Sequence, residues 1–283
     1  MTLPRALLLP LLLSAALLGL APAAATPTPT PTRAAAAAST SAAETLSDVQ
    51  PEDLLNELPV WMNHTCPRSD PNANECLKHT FEGMFPYMAN GISEVAIPPF
   101  EPLFIKKLSL RRDSGAVTIA GTFFNVLVSG PSNSTADFVK LDESRRRMDF
   151  GLTIPELRLE GDYDLRGNIL VLPLVGAGKV HMRMSNLTTG SRTRVEIRRV
   201  GGREVFHATH MSIDFNVGSL FIHFDNLFGG NKVLGATLNA FMNQHAQTVV
   251  ADLREPVGEA LSDLFIDMMN RLLHRVPLDL WLV

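Results

Sequence analysis

Cysteine is nearly absent from this chain of 283 residues: Cys66 and Cys76 are the only two. So few exclude a disulfide-built scaffold, and no Cys/His set has the spacing of a zinc site. An excess of basic charge is missing too. The formal charge is −4 and neither half is strongly basic, which argues against nucleic acid as a partner. Beyond the first residues no apolar run is long enough to cross a bilayer, and no internal repeat is evident. Catalytic signatures are also lacking. There is no Gly-x-Ser-x-Gly elbow and no Cys-His pairing with a free thiol. Gly176-Ala177-Gly178 lacks the third glycine and the following helix of a dinucleotide loop. His207 and His210 point to opposite faces if they share a strand, and no carboxylate set completes a metal site. The chain therefore predicts no enzyme, no metal and no cofactor.

What is present begins with a targeting segment. Arg5 supplies a positive start, residues 7–20 form an apolar run broken by Pro10, and Ala23-Ala24-Ala25 offers small residues for cleavage. The run is shorter than the roughly 20 residues of a membrane span, so residues 1–25 read as a secretory signal peptide. Residues 26–45 are a Thr-Pro repeat and an alanine tract that cannot build a core and read as a disordered tether. Residues 46–283 are expected to form one domain. In an exported chain Cys66 and Cys76 are predicted to pair, with two free thiols as the alternative. Three sequons fit a secreted glycoprotein: Asn63-His64-Thr65, Asn133-Ser134-Thr135 and Asn186-Leu187-Thr188. The second, in a Gly-Pro-Ser turn, is the best placed.

Hydrophobic periodicity divides the domain in three. Residues 75–90 have helical spacing, with Leu77, Phe81, Met84, Phe85 and Met88 on one face; Pro86 should bend or end the helix and Gly91 can close it. Ile97-Pro98-Pro99-Phe100-Glu101-Pro102 is an extended linker. From residue 106 to 226 the period is two. Val180, Met182 and Met184 oppose Lys179, His181, Arg183 and Ser185. Thr193, Val195 and Ile197 oppose Arg192, Arg194, Glu196 and Arg198. Val205, His207, Thr209, Met211, Ile213, Phe215 and Val217 make one face of a long strand. One dry face and one wet face mark an antiparallel sheet packed on one side. Last, residues 234–272 carry an almost unbroken amphipathic helical pattern, with Asn231 as candidate N-cap. Its steps of four overshoot a turn by about 40° each, so the apolar stripe migrates around the axis. Contact from several sides would require that; a bend at Pro256 would also reset the phase. A lone long helix after a large sheet must be wrapped by it, since neither buries its apolar face alone.

The chain resembles the insect takeout and haemolymph juvenile hormone binding protein family. The pieces that carry the resemblance run in order along the chain. They are Cys66 and Cys76 around a short loop, Cys76-Leu77-Lys78, Gly91-Ile92, and the Ile97-Pro98-Pro99-Phe100-Glu101-Pro102-Leu103 linker. Then come Ile154-Pro155-Glu156-Leu157, Gly161-Asp162-Tyr163, Gly167-Asn168-Ile169-Leu170 and Leu172-Pro173-Leu174. Asn226-Leu227-Phe228-Gly229-Gly230-Asn231 and Val276-Pro277 complete the set. The resemblance implies an α+β fold: a highly curved antiparallel sheet wrapped around a long C-terminal helix, with a hydrophobic tunnel. It implies extracellular carriage, in haemolymph, of a small hydrophobic ligand such as a juvenile hormone-like terpenoid or a fatty acid, and a link to circadian rhythm. The chain lacks the cysteines for the hormone-binding branch's second disulfide, which places it nearer the takeout-like members.

Candidate ligand-lining residues are Met182, Met184, Met211, Phe215, Phe241 and Met242, since methionine adapts its shape cheaply to varied ligands. His207 and Thr209, polar on an apolar face, could orient a ligand oxygen. Each of these side chains could instead serve only the core. The expected protein is a monomeric secreted lipid carrier without transmembrane segment or nucleic-acid partner. The alternative is a lipid-surface or microbial-lipid recognition protein on the same fold.

Overall fold

The computed structural model describes residues 46–62 and 64–283, with the side chain of Ser47 left out of the description. The predicted signal segment, the tether and the sequon residue Asn63 lie outside the described residues. Helix α1 (Ala73–Met88) is tied at its first turn to the preceding loop by the Cys66–Cys76 disulfide. It buries Leu77, Met84 and Phe85, and Pro86 falls in its last turn.

Six strands follow, all antiparallel: β1 (Leu103–Arg112), β2 (Val117–Ser129), β3 (Thr135–Asp142), β4 (Arg147–Ile169), β5 (Leu172–Val200) and β6 (Arg203–Phe224). Their order is β1-β2-β4-β5-β6, with β3 beside the first part of β4. Because β2 and β3 pair with successive stretches of β4, they act as one strand interrupted at residues 130–134. A straight strand as long as β5 would run about 95 Å at 3.3 Å per residue, too far for a compact domain of this size. The ladder is instead disturbed at one level across three strands. Pro155 of β4, which has no N–H to donate, stands at the level of Asn186 of β5. Asn186 has φ +52° and stands beside Gly218 of β6. A Cβ on Gly218 would come within 2.9 Å of the Asn186 Cβ. This line of local irregularity lets the sheet curl.

The sheet curls around three helices: α2 (Lys232–Gln244), α3 (Ala246–Arg275) and the short α4 (Leu278–Trp281). Asn231 caps α2 by accepting from the Leu234 N–H at 3.1 Å. The expected single helix is broken at His245 (φ −108°, ψ 25°), not at Pro256, which α3 carries in its interior. Helix α3, about 45 Å long at 1.5 Å per residue, packs along β6 and also reaches β1 and β2. Arg112 of β1 pairs with Glu255 at 3.3 Å, and the Val117 N–H of β2 donates to Asp252 at 2.7 Å. The helix thus closes the open side of a curled half-barrel. Buried side chains from sheet and helices form one continuous cluster; Val49, Leu54, Val200 and Val205 form a small second one. No helix among the described residues is long and apolar enough to cross a membrane.

Candidate functional site

Strand β6 is the last in the sheet, so half its backbone groups have no strand to pair with. Helices α2 and α3 supply side-chain partners instead. Asn239 accepts from the Phe224 N–H and donates to the Phe224 carbonyl, both at 2.9 Å. Asn243 does the same at Ile222, both at 2.8 Å. Gln247 donates to the Val217 and Gly218 carbonyls, and Ser262 accepts from Ile213 at 3.0 Å. Asn270 clasps Ala208, accepting at 2.8 Å and donating at 3.0 Å. Asparagine is a poor helix former, yet three stand inside these helices because a carboxamide replaces the missing strand's pair of bonds.

This clasp holds the apolar stripe of α3 over the concave face of the sheet, and between them lies a cavity of about 400 Å³. It is bordered by Phe81, Phe85 and Met88 of α1, by inward residues of β1, β2, β4, β5 and β6, and by Met242 of α2. Val249, Leu253, Val257, Leu261 and Phe265 of α3 all border it, each four residues from the next. The migrating stripe therefore follows the cavity. Only Ser134, Thr189 and Ser191 interrupt the apolar lining, and no charged side chain among the described residues borders it. Such a space can hold an apolar molecule by burial of its surface, worth about 25 cal/mol per Å².

The predicted lining residues separate into two groups. Met182, Met184, Met211, Phe215 and Met242 border the cavity. His207, Thr209 and Phe241 do not. The reason for the first two is a bulge: His210 pairs with Arg194 and Ala208 with Val195, so Thr209 is the extra residue and the alternation changes phase there. Thr209 is exposed, its hydroxyl 3.5 Å from the Arg194 carbonyl. On the partner strand Ile197, past the same irregularity, is exposed rather than inward. His207 lies 2.9 Å, Nδ1 to Nε2, from fully buried His274 near the end of α3. Burial, then the charge of Arg198, hold its imidazole below the usual value, against the pull of Glu196. Phe241 packs on His245, ring centroids 4.4 Å apart, at the break between α2 and α3. Tyr163 donates to the Asp225 carbonyl at 2.5 Å and meets the Phe224 ring edge-on; burial, with the charge of Asp225, pushes its hydroxyl up to about 12. Sequence reasoning passed over the clasp, whose signal was the run Asn239, Asn243, Gln247 at steps of four. It also passed over Thr189 and Ser191, which continue the inward alternation of β5 after Leu187.

Comparisons with known proteins agree with this geometry. The model of the "Haemolymph juvenile hormone binding protein" family matches residues 36–283. Two curated relatives are "Circadian clock-controlled protein daywake" of Drosophila yakuba and of Drosophila melanogaster. They are 25% and 23% identical over 214 and 212 residues, which is 72% of this chain and 82% of each relative. Among solved structures, Takeout 1 of Epiphyas postvittana superposes with a TM-score of 0.68 at 21% identity. The match covers 77% of this chain and 99% of that one.

Proposed function

Because the chain belongs to the haemolymph juvenile hormone binding protein family, we propose that it is a secreted carrier holding one small hydrophobic molecule in the cavity between α3 and the sheet. The observation that supports this most is the lining: uncharged, apolar but for three hydroxyl side chains, and supplied mainly by strands and helices. The Takeout 1 likeness supports the scaffold. The ligand we infer is elongated, a juvenile hormone-like terpenoid or a fatty-acid derivative. Helix α3 borders the cavity from Val249 to Leu272, about 35 Å at 1.5 Å per residue, which makes a space of about 400 Å³ long and narrow. Glycosylation is part of the same proposal. Asn133 and Asn186 are both exposed, the first in the turn before β3 and the second on the convex side of β5.

The test is native mass spectrometry of the protein secreted from insect cells. A co-purified terpenoid or lipid of defined mass is the expected result, together with a mass loss on enzymatic deglycosylation that Asn133→Gln reduces. An empty protein that displaces no fluorescent fatty acid and binds lipid vesicles instead would overturn the carrier assignment.

A further inference from the structure

The apolar cavity has one polar stretch, and it lies on a single strand. Thr189 and Ser191 of β5 border the cavity. Thr193, the next inward position two residues further along the strand, lies just behind the residues that border the cavity. The register sets the row between apolar neighbours. Thr189 stands between Leu152 and Phe215, Ser191 between Phe150 and Ile213, and Thr193 between Met148 and Met211. Thr193 is fully buried and its hydroxyl has no hydrogen-bond partner. Ser191 is buried as well, and its hydroxyl has only the Phe150 carbonyl at 3.4 Å. The remaining hydroxyl of the lining, on Ser134, is already committed to the Pro131 carbonyl at 2.5 Å.

A buried hydroxyl without a partner is costly; Thr193 has none and Ser191 only one long bond, and packing does not explain two such groups beside the half-buried Thr189 on one strand. We propose that Thr189 and Ser191 on the cavity wall, with the unpartnered Thr193 just behind them, form the head-group subsite at this end of the cavity, and that it takes an uncharged, oxygen-bearing head such as an alcohol or an ester. The proposal rests on the carrier function argued above and narrows its ligand class. Hydroxyls donate to an ester or ketone oxygen and accept from an alcohol. An ionised carboxylate would meet no cation, because among the described residues no lysine, arginine or histidine borders the cavity, and an unpaired buried charge costs far more than a hydroxyl contributes. The tail of the ligand would then run from this row along Met184 and Met182 of the same strand, which border the cavity in the direction of α2.

The experiment uses the full secreted protein loaded with the dye N-phenyl-1-naphthylamine, displaced by hexadecanol, methyl palmitate, 1-hexadecene or palmitate at pH 8. Hexadecanol and methyl palmitate should displace the dye at about tenfold lower concentration than 1-hexadecene, the scale of one buried hydrogen bond. Palmitate should be weaker than its methyl ester. Thr193→Val and Ser191→Ala should each reduce the preference, and the double variant should remove it, with 1-hexadecene unchanged. Equal displacement by hexadecanol and 1-hexadecene in the unaltered protein, or a preference that survives the double variant, would overturn the subsite while leaving the carrier function standing. Absence of dye binding and of displacement by every probe would overturn the carrier function itself. Thr193→Val should also melt at or above the temperature of the unaltered protein. A melting point lower by several degrees would assign the hydroxyl to a structural partner and defeat the proposal.

Discussion

At residue scale the contact between α3 and β6 depends on Gly258 and the carboxamides. A Cβ on Gly258 would stand 2.4 Å from the Ile213 carbonyl oxygen, and one turn later Ser262 accepts from the N–H of the same Ile213. Alanine favours an isolated helix over glycine by about 1 kcal/mol, yet here it forces the helix off the strand. Gly258→Ala is therefore expected to destabilise by about 1–3 kcal/mol, read as a lower melting temperature. An unchanged or higher one would show that the approach is not required. Asn243 makes the complementary case. Asn243→Ala leaves the Ile222 N–H and carbonyl facing an apolar surface, a loss of about 1–3 kcal/mol. Hydrogen exchange at the Ile222 amide should speed up more than at Ala208, which Asn270 still holds.

At the scale of elements, two joints respond to acid in separate windows. The first joins the linker before β1 to the turn after β2. There Glu101 accepts from the Gly130 and Ser132 N–H groups and from the Ser132 hydroxyl at 2.7–3.1 Å. Burial pushes its carboxyl up, but these bonds outweigh burial and hold it below the usual 4.5. A depressed carboxylate stabilises the fold fully above its ordinary value, and that contribution is lost as pH falls through the lower, folded value. The urea midpoint of the unaltered protein should thus drop more between pH 5 and pH 3 than that of Glu101→Gln. The second joint is His207 against His274 between β6 and α3. A depressed imidazole favours the neutral form in the fold, so its contribution is present above 6.5 and is lost as pH falls. His207→Gln should flatten the decline in stability between pH 7 and pH 5. A decline as steep as before would place the titrating group elsewhere.

The same elements show what could be read from the chain beforehand. Alternation of apolar and polar residues located the strands, and steps of four located the terminal helix, because burial on one side leaves a period behind. The pairing of Cys66 with Cys76 also followed from composition and the expected export. The bulge at Thr209 left no such trace. One extra residue reverses the inward set while each half still alternates, so His207 and Thr209 looked as if they lined the cavity and neither borders it. The break at His245 was equally hidden. Pro256 was the visible helix breaker, but α3 keeps it because the packing around Gly258 and Ser262 fixes the helix on β6 and outweighs one lost N–H bond. The clasping asparagines were legible as letters and not as partners, since edge-strand pairing is a tertiary fact.

At the scale of the whole molecule, fold and cavity are one construction. The helix is needed to satisfy an edge strand, the sheet is long enough to curl past the helix, and the two apolar faces meet imperfectly along their length. That mismatch makes ligand size testable independently of head-group chemistry. Leu220 of β6 borders the cavity opposite Met184 and lies seven residues along the strand from Ile213, the neighbour of Ser191, about 23 Å at 3.3 Å per residue. Leu220 is only half-buried, so a larger side chain can enter the space without rebuilding a tight core. Leu220→Trp should narrow the cavity at a distance from the hydroxyl row. Methyl palmitate should then lose about tenfold or more in affinity, while methyl octanoate, short enough to stay near the hydroxyls, should keep most of its own. Titration by native mass spectrometry would read both. Equal losses for the two esters would show that the ligand does not lie along β6 from Ile213 to Leu220, and that its head is anchored somewhere other than on β5.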